Sequence, residues 1–224
     1  FLPRSAATVA EVLRLNGYST YCTGKWHLTP TAEATAAGPF DRWPLGLGFE
    51  RFYGFLPGET DQWHPILTED NHRIATPERE GYHVSEDLVD RAITMIRDQQ
   101  QVASGRPFFL YVPFGAVHCP FHAPAEYIEK YRGAFDEGWD VHRQRTFERQ
   151  IELGVIPADS TLPPRNPGVV AWDTLDDEAK LVYRWSGALY GNRQAERHIP
   201  FSGTRRALRE GQGRHTRRRL RTRE

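Results

Sequence analysis

A lysine and a histidine stand two residues apart in Gly24-Lys25-Trp26-His27, directly after the strand-like run Tyr18 to Thr23. In an extended chain, residues i and i+2 point to one face, so an ammonium and an imidazole would share a target. Lysine is a mobile cationic donor, and histidine donates, accepts or relays protons near neutral pH. Together they suit a tetrahedral oxyanion such as a sulfate or phosphate group. The same residues also read as a glycine turn, an edge lysine kept for solubility and a histidine packed beside Trp26, because so short a motif recurs by chance. A second histidine pair lies in "FGAVHCPFHAP". His118 follows an apolar run and is stiffened by Pro120 and Pro124, which places it for general-acid work on a leaving group. The competing role is a histidine satisfied by nearby backbone carbonyls. His122 is the weaker of the two, and one member of the pair is expected to be structural.

The elements that must hold these residues follow from local pattern. Thr8 and Glu11 form a capping box, Val9, Val12 and Leu13 give the helix behind it an apolar face, and Gly17 ends it. Tyr18 to Thr23 then has strand character. Pro30 to Arg79 is rich in glycine, proline and aromatics and reads as irregular loops with aromatic anchors. Ser85 to Gln101 is the clearest helix, with Leu88, Val89, Ala92, Ile93 and Ile96 on one stripe. "RPFFLYVPF" reads as a strand buried on both faces. Further helices are expected at Pro124 to Arg132, at Val141 to Leu153 and from Leu175. Helix and strand alternate as in an α/β domain, where function gathers beyond the carboxyl ends of the strands. Both lysine/histidine motifs fall there.

Composition narrows the classes. The 224 residues carry 29 basic and 29 acidic side chains, but unevenly. Arg193 to Glu224 holds 11 Arg and 3 acidic residues, leaving 29 − 11 = 18 basic and 29 − 3 = 26 acidic residues before it. The chain is therefore expected to divide into a body, 1–183, and an Arg-rich atypical tail, 184–224, that is disordered or the product of a frame change. The only methionine is Met95 and the first residue is Phe1, which points to an internal fragment or a processed product. No signal-peptide pattern occurs in Phe1 to Ala10, and no apolar run is long enough for a membrane helix, so no compartment is assigned. Cys22 and Cys119 make neither a disulfide framework nor a zinc site by spacing, and both are expected as small, semi-buried residues at strand ends. Asp70-Asn71 reads as a turn, and Asp173, Asp176, Asp177 and Glu178 as helix capping. His64, His72, His83 and His142 have no ligand spacing, and no nucleophile elbow, P-loop or zinc-protease motif occurs.

Three stretches together carry a resemblance. "TVAEVLRLNGYSTYCTGKWHL" resembles the T-x-A-E-x-L-x-x-x-G-Y-x-T-x-x-x-G-K-W-H-L segment of the type I sulfatases. "LGLGFERFYGFLPGETDQWHP" is similar to that family's aromatic loop, and "PFFLYVPFGAVHCPFHAPAEYIEKYRG" to its strand and histidine-proline loop. Their order and spacing agree from Thr8 to about Asp177, and the bacterial arylsulfatases are the branch they most resemble. The resemblance implies an incomplete alkaline-phosphatase-like α/β fold with a mixed sheet between helices. It implies hydrolysis of sulfate monoesters to an alcohol or phenol and inorganic sulfate, by a formylglycine made from a C-x-P-x-R motif and a calcium ion held by Asp-Asp and Asp-Asn pairs. By position, Lys25 would contact the sulfate and the nucleophile. His27 would hydrogen-bond the formylglycine hydroxyl, and His118 would bind sulfate or protonate the leaving group at the ester oxygen. His122 falls outside the motif.

The departures are as informative. No C-x-P-x-R is present, and the calcium ligands and the formylglycine are expected outside this chain. From about Arg184 the family's pattern gives way to Arg/Gly-rich sequence, as a frame change in GC-rich DNA would produce; restoring the frame should restore family-like sequence. The expectation is a central sulfatase fragment, inactive alone, whose intact form takes a small sulfate ester, with no nucleic acid and no membrane. A phosphate or phosphonate ester hydrolase of the same superfamily is one alternative. A non-catalytic protein with a nucleic-acid-binding basic tail is another, although the acidic body offers no basic face.

Overall fold

The computed structural model describes residues 2–3 and 5–191. The chain forms two compact units, the first ending at His122 and the second beginning at Ala123. The Arg-rich segment from residue 192 onward lies outside the described residues. Residues 184–191 continue a helix that starts before them.

In the first unit, helix α1 (Val9–Leu15) starts where Thr8 accepts a hydrogen bond from the Glu11 amide at 3.1 Å, one arm of the capping box. Asn16 closes it, and Gly17 takes the left-handed φ of 86° that turns the chain into strand β1 (Ser19–Lys25). Strands β2 (Arg51–Phe55), β3 (Leu67–Glu69) and β4 (His72–Ile74) follow, then helix α2 (Val84–Val102) and strand β5 (Phe108–Tyr111). The sheet order is β4-β3-β2-β1-β5. β1 is parallel to both of its neighbours, while β3 and β4 are antiparallel additions, so the sheet is mixed.

Period-2 alternation gives the sheet two apolar faces. Phe52 and Cys22 pack with Ala10 of α1, Trp26, Trp43 and Phe49, all buried. Tyr53, the next residue along β2, joins the other cluster with Leu67, Val84 and Leu88 at the start of α2. The sheet therefore lies between helices, as an α/β layer requires.

Two expectations need correction here. The 30–79 region is not all irregular, since it contributes three of the five strands. And "FFLY" is not buried on both faces: its residues are half-buried and Tyr111 is exposed, because β5 takes the edge of the sheet among the described residues.

The second unit is helical. It holds α3 (Ala125–Glu129), α4 (Gly138–Glu152) and α5 (Asp177–Gly191). The carboxylate of Asp176 accepts from the Ala179 amide at 2.7 Å, which caps α5. Trp139 packs edge-on against both Trp172 and Tyr183, at 4.9 and 5.0 Å between ring centres, joining α4 to α5.

Candidate active site

The carboxyl ends of β1, β2 and β5 lie side by side; Lys25 ends β1, and the loops beyond β1 and β5 carry His27, His118 and His122. Gly24 is not a turn glycine. It sits inside β1, in register with Gly54 of β2. A Cβ on Gly24 would stand 1.9 Å from the Pro113 carbonyl oxygen, and one on Gly54 2.0 Å from the Gly24 carbonyl oxygen. Both positions must be glycine for the three backbones to close up. That closeness lets the Lys25 amide donate to the Pro113 carbonyl at 2.8 Å, extending the β1–β5 ladder.

Lys25 is the last residue of β1, half-buried. Trp26 then plugs the core, its ring edge-on to Phe49 and its indole N–H donating to the Arg42 carbonyl at 3.0 Å. His27 is exposed and has a left-handed φ of 56°. The i, i+2 alternation expected for Lys25 and His27 therefore stops at the strand end, because the backbone reverses its twist at His27. A non-glycine residue in this region is held only by its surroundings. Here the His27 amide donates to the Leu56 carbonyl at 2.9 Å, and the imidazole lies over Gly58 so closely that a Cβ there would meet it at 2.6 Å.

The next residue, Glu59, reaches the other histidine. Its Oε2 is 3.1 Å from His118 Nδ1 and 3.0 Å from the Cys119 thiol, while His118 Nδ1 and Cys119 Sγ are 3.5 Å apart. The bend after β2 thus touches His27 through Gly58 and His118 through Glu59. All three side chains of the Glu59 cluster are exposed. Cys119 is accordingly not a semi-buried strand-end residue. The Glu59 carboxylate that accepts its S–H also raises its pKa. Cys22, by contrast, is fully buried, and desolvation pushes its thiol far above the ordinary range.

His118 is placed by its loop, its amide donating to the Gly115 carbonyl at 3.0 Å. Its Nδ1 also lies 3.1 Å from the Cys119 carbonyl oxygen. His122 serves packing. It stacks on Trp63 at 6.4 Å, and its Nδ1 lies 3.4 Å from the Gln62 amide and 3.6 Å from Asp61. Asp61 also accepts from the Trp63 and His64 amides, both at 2.8 Å. Burial pushes its carboxyl up, and these backbone donors outweigh that and hold it below the usual range. His83, at the N-cap of α2, meets Trp63 edge-on at 4.9 Å, so the 57–66 loop is braced from the helix side as well.

Neither group implied by the resemblance is held by these residues. Calcium takes six to eight oxygen ligands. The one cluster of donors among the described residues is a carboxylate, an imidazole and a thiol, and Asp70 is committed to a two-residue hairpin turn where it accepts from Arg51 and the Phe52 amide. Neither cysteine lies in C-x-P-x-R, since Gly24 and Trp26 follow Cys22, and Phe121 and Ala123 follow Cys119, at the two required places.

Sequence reasoning missed Glu59. A lone glutamate in a glycine- and aromatic-rich loop carries no spacing signal. Only the sheet brings it to His118.

The sulfatase family model matches residues 1–199. An uncharacterized sulfatase of Schizosaccharomyces pombe is 30% identical over 196 residues, covering 80% of this chain and 33% of its own length. The arylsulfatase of Klebsiella aerogenes is 31% identical over 169 residues, covering 70% and 33%. The chain thus spans about a third of the length of these relatives. Among solved structures, the i-CgsB protein crystallised with k-i-k-neocarrahexaose superposes with a TM-score of 0.52 at 18% identity, over 94% of this chain and 38% of that one, a likeness of fold. With a family model matching residues 1–199, which include every described residue, the chain belongs to the sulfatase family.

Proposed function

We propose that the chain is the central part of a sulfatase catalytic domain, in which Lys25, His27 and His118 face the sulfate group of a small ester. The observation that supports this is the single bend after β2, where Gly58 carries the His27 ring and Glu59 engages His118. Lys25 ends the strand between these two loops. In the hydrolysis of a sulfate monoester, negative charge builds on the sulfate oxygens and on the departing oxygen. The Lys25 ammonium offers a cation to the first. His118 offers a proton to the second, with Glu59 against its Nδ1 fixing the ring. His27, exposed at the end of β1, offers an imidazole that can donate to or accept from a group beside the sulfate.

The 224-residue chain by itself is expected to show no turnover of a chromogenic aryl sulfate, because it supplies neither nucleophile nor calcium ligands. Its binding face is tested by NMR. Titration with sodium sulfate, against sodium chloride at equal ionic strength, should move the ring resonances of His27 and His118, and Lys25→Ala should weaken the effect. If sulfate moves neither ring, or if the isolated chain hydrolyses aryl sulfates briskly, this reading is wrong.

A further inference from the structure

We infer that Glu59, His118 and Cys119 form a binding site for a borderline-soft divalent cation of the Zn2+ type. The spacing of the two cysteines excludes a zinc motif in the sequence, yet the fold assembles three different donors at one point: a carboxylate oxygen, an imidazole nitrogen and a sulfur. That set matches zinc, which binds Asp/Glu, His and Cys together, and mismatches the hard, oxygen-only cations.

The geometry is close to what such an ion needs. With zinc–ligand bonds of about 2.0–2.3 Å in a tetrahedron, neighbouring donor atoms stand about 3.3–3.8 Å apart. The Cys119 sulfur and His118 Nδ1 are 3.5 Å apart, on that edge. Glu59 Oε2 is 3.0 Å from the sulfur and 3.1 Å from the nitrogen, so it must withdraw by a few tenths of an ångström. An exposed glutamate can do that by a small side-chain rotation. The two ligands on the loop are adjacent in sequence and set by the His118 amide bond to Gly115, so little further ordering is required. Three protein ligands leave a fourth tetrahedral position for water or an anion, the pattern of open zinc sites. On binding, the ion displaces the thiol proton, which leaves to solvent, and takes the Nδ1 lone pair of neutral His118. It also occupies His118 Nδ1, so a loaded site withdraws His118 from proton transfer.

The test uses the reduced full-length chain and Co2+ as a spectroscopic stand-in, displaced afterwards by Zn2+. One Co2+ per chain is expected, with a thiolate-to-metal charge-transfer band in the near ultraviolet and tetrahedral bands in the visible. Cys119→Ser should abolish the charge-transfer band. Glu59→Gln should keep the band and lower affinity by roughly tenfold or more, since losing even an outer-shell partner costs about 10–100-fold. All the altered side chains are exposed, and far-ultraviolet circular dichroism confirms that the variants keep their fold. A charge-transfer band that survives in Cys119→Ser, one metal per two chains, or no band at all would overturn the site and leave a thiol merely hydrogen-bonded to a carboxylate. The readout is independent of sulfate, so failure of sulfate to bind and failure of cobalt to bind are separate results.

Discussion

Gly24→Ala is the sharpest probe of how the sheet positions Lys25. The residue has a φ of 138°, a region nearly closed to side chains, and holding a non-glycine residue in such a conformation costs about 1–3 kcal/mol. The new Cβ would also stand 1.9 Å from the Pro113 carbonyl oxygen and 2.8 Å from its carbon. These are backbone atoms and cannot rotate away, so β1 and the segment after β5 must part, at a further ~1–3 kcal/mol by analogy with overpacked cores. Parting them weakens the 2.8 Å bond from the Lys25 amide to Pro113, worth about 1 kcal/mol. The mid-range sum is about 5 kcal/mol. At about 4 °C per kcal/mol for a unit of this size, melting should fall by about 20 °C. The control is Gly81→Ala: φ is 67° with nothing within 4 Å of the added Cβ, so only the conformational penalty of ~1–2 kcal/mol remains. Thermal melts of both variants, followed by tryptophan fluorescence and circular dichroism, give the difference directly. If Gly24→Ala melts within a few degrees of Gly81→Ala, the close approach of β1 to Pro113 does not exist in solution.

Two further perturbations test the frame behind the site. Asp87, buried at the start of α2, accepts from the hydroxyls of both Tyr53 and Tyr82. Asp87→Ala leaves two buried phenols without their acceptor and should cost about 2–4 kcal/mol in urea denaturation; a loss under about 1 kcal/mol would mean that water replaces it freely. His83 should make stability depend on pH. Burial, with the nearby His122 charge, lowers its pKa below the ordinary 6.5, although a bond to the His122 backbone acts in the opposite sense. The unfolded chain therefore takes up the proton first, so stability is full above about pH 6.5 and is lost as pH falls below it. Protonation also ends the acceptor role of Nδ1 toward the Ser85 amide, at 3.2 Å, which caps α2. His83→Asn keeps a capping oxygen and should flatten this part of the pH profile. Equal slopes for the two proteins between pH 7.5 and 5.5 would remove His83 as the cause.

What was legible in the sequence was local. The Thr8 cap, the α2 stripe and the capping of α5 by Asp176 each rest on a signal within a few residues, and each is present in the structure. The strands in residues 51–74 were not legible. β3 and β4 are three residues each, too short for a period to show, and the "RFYGF" of β2 is buried along four of its five residues, which erases alternation. The turn at Asp70-Asn71 was foreseen, but not the strands on either side of it. An apolar run such as "FFLY" looks the same in the middle of a sheet or at its edge, since only the neighbours decide. At the site, residue types and motif order picked out Lys25, His27 and His118. The left-handed twist of His27 was hidden, because it is held by Leu56 and Gly58, which come to it from the bend behind β2. Glu59 was hidden for the same reason, 59 positions from the histidine it touches.

Position 58 deserves a place in any mutational survey of this protein for the atoms it does not have. It is partly open to solvent and bears no functional group, so chemistry-based scoring would rank it as permissive. Yet the imidazole of His27 occupies the space a methyl there would claim. Even alanine should swing that ring aside while leaving the sheet, and the melting temperature, almost untouched. Variation at this glycine would tune a neighbour's aim without altering a single reactive atom.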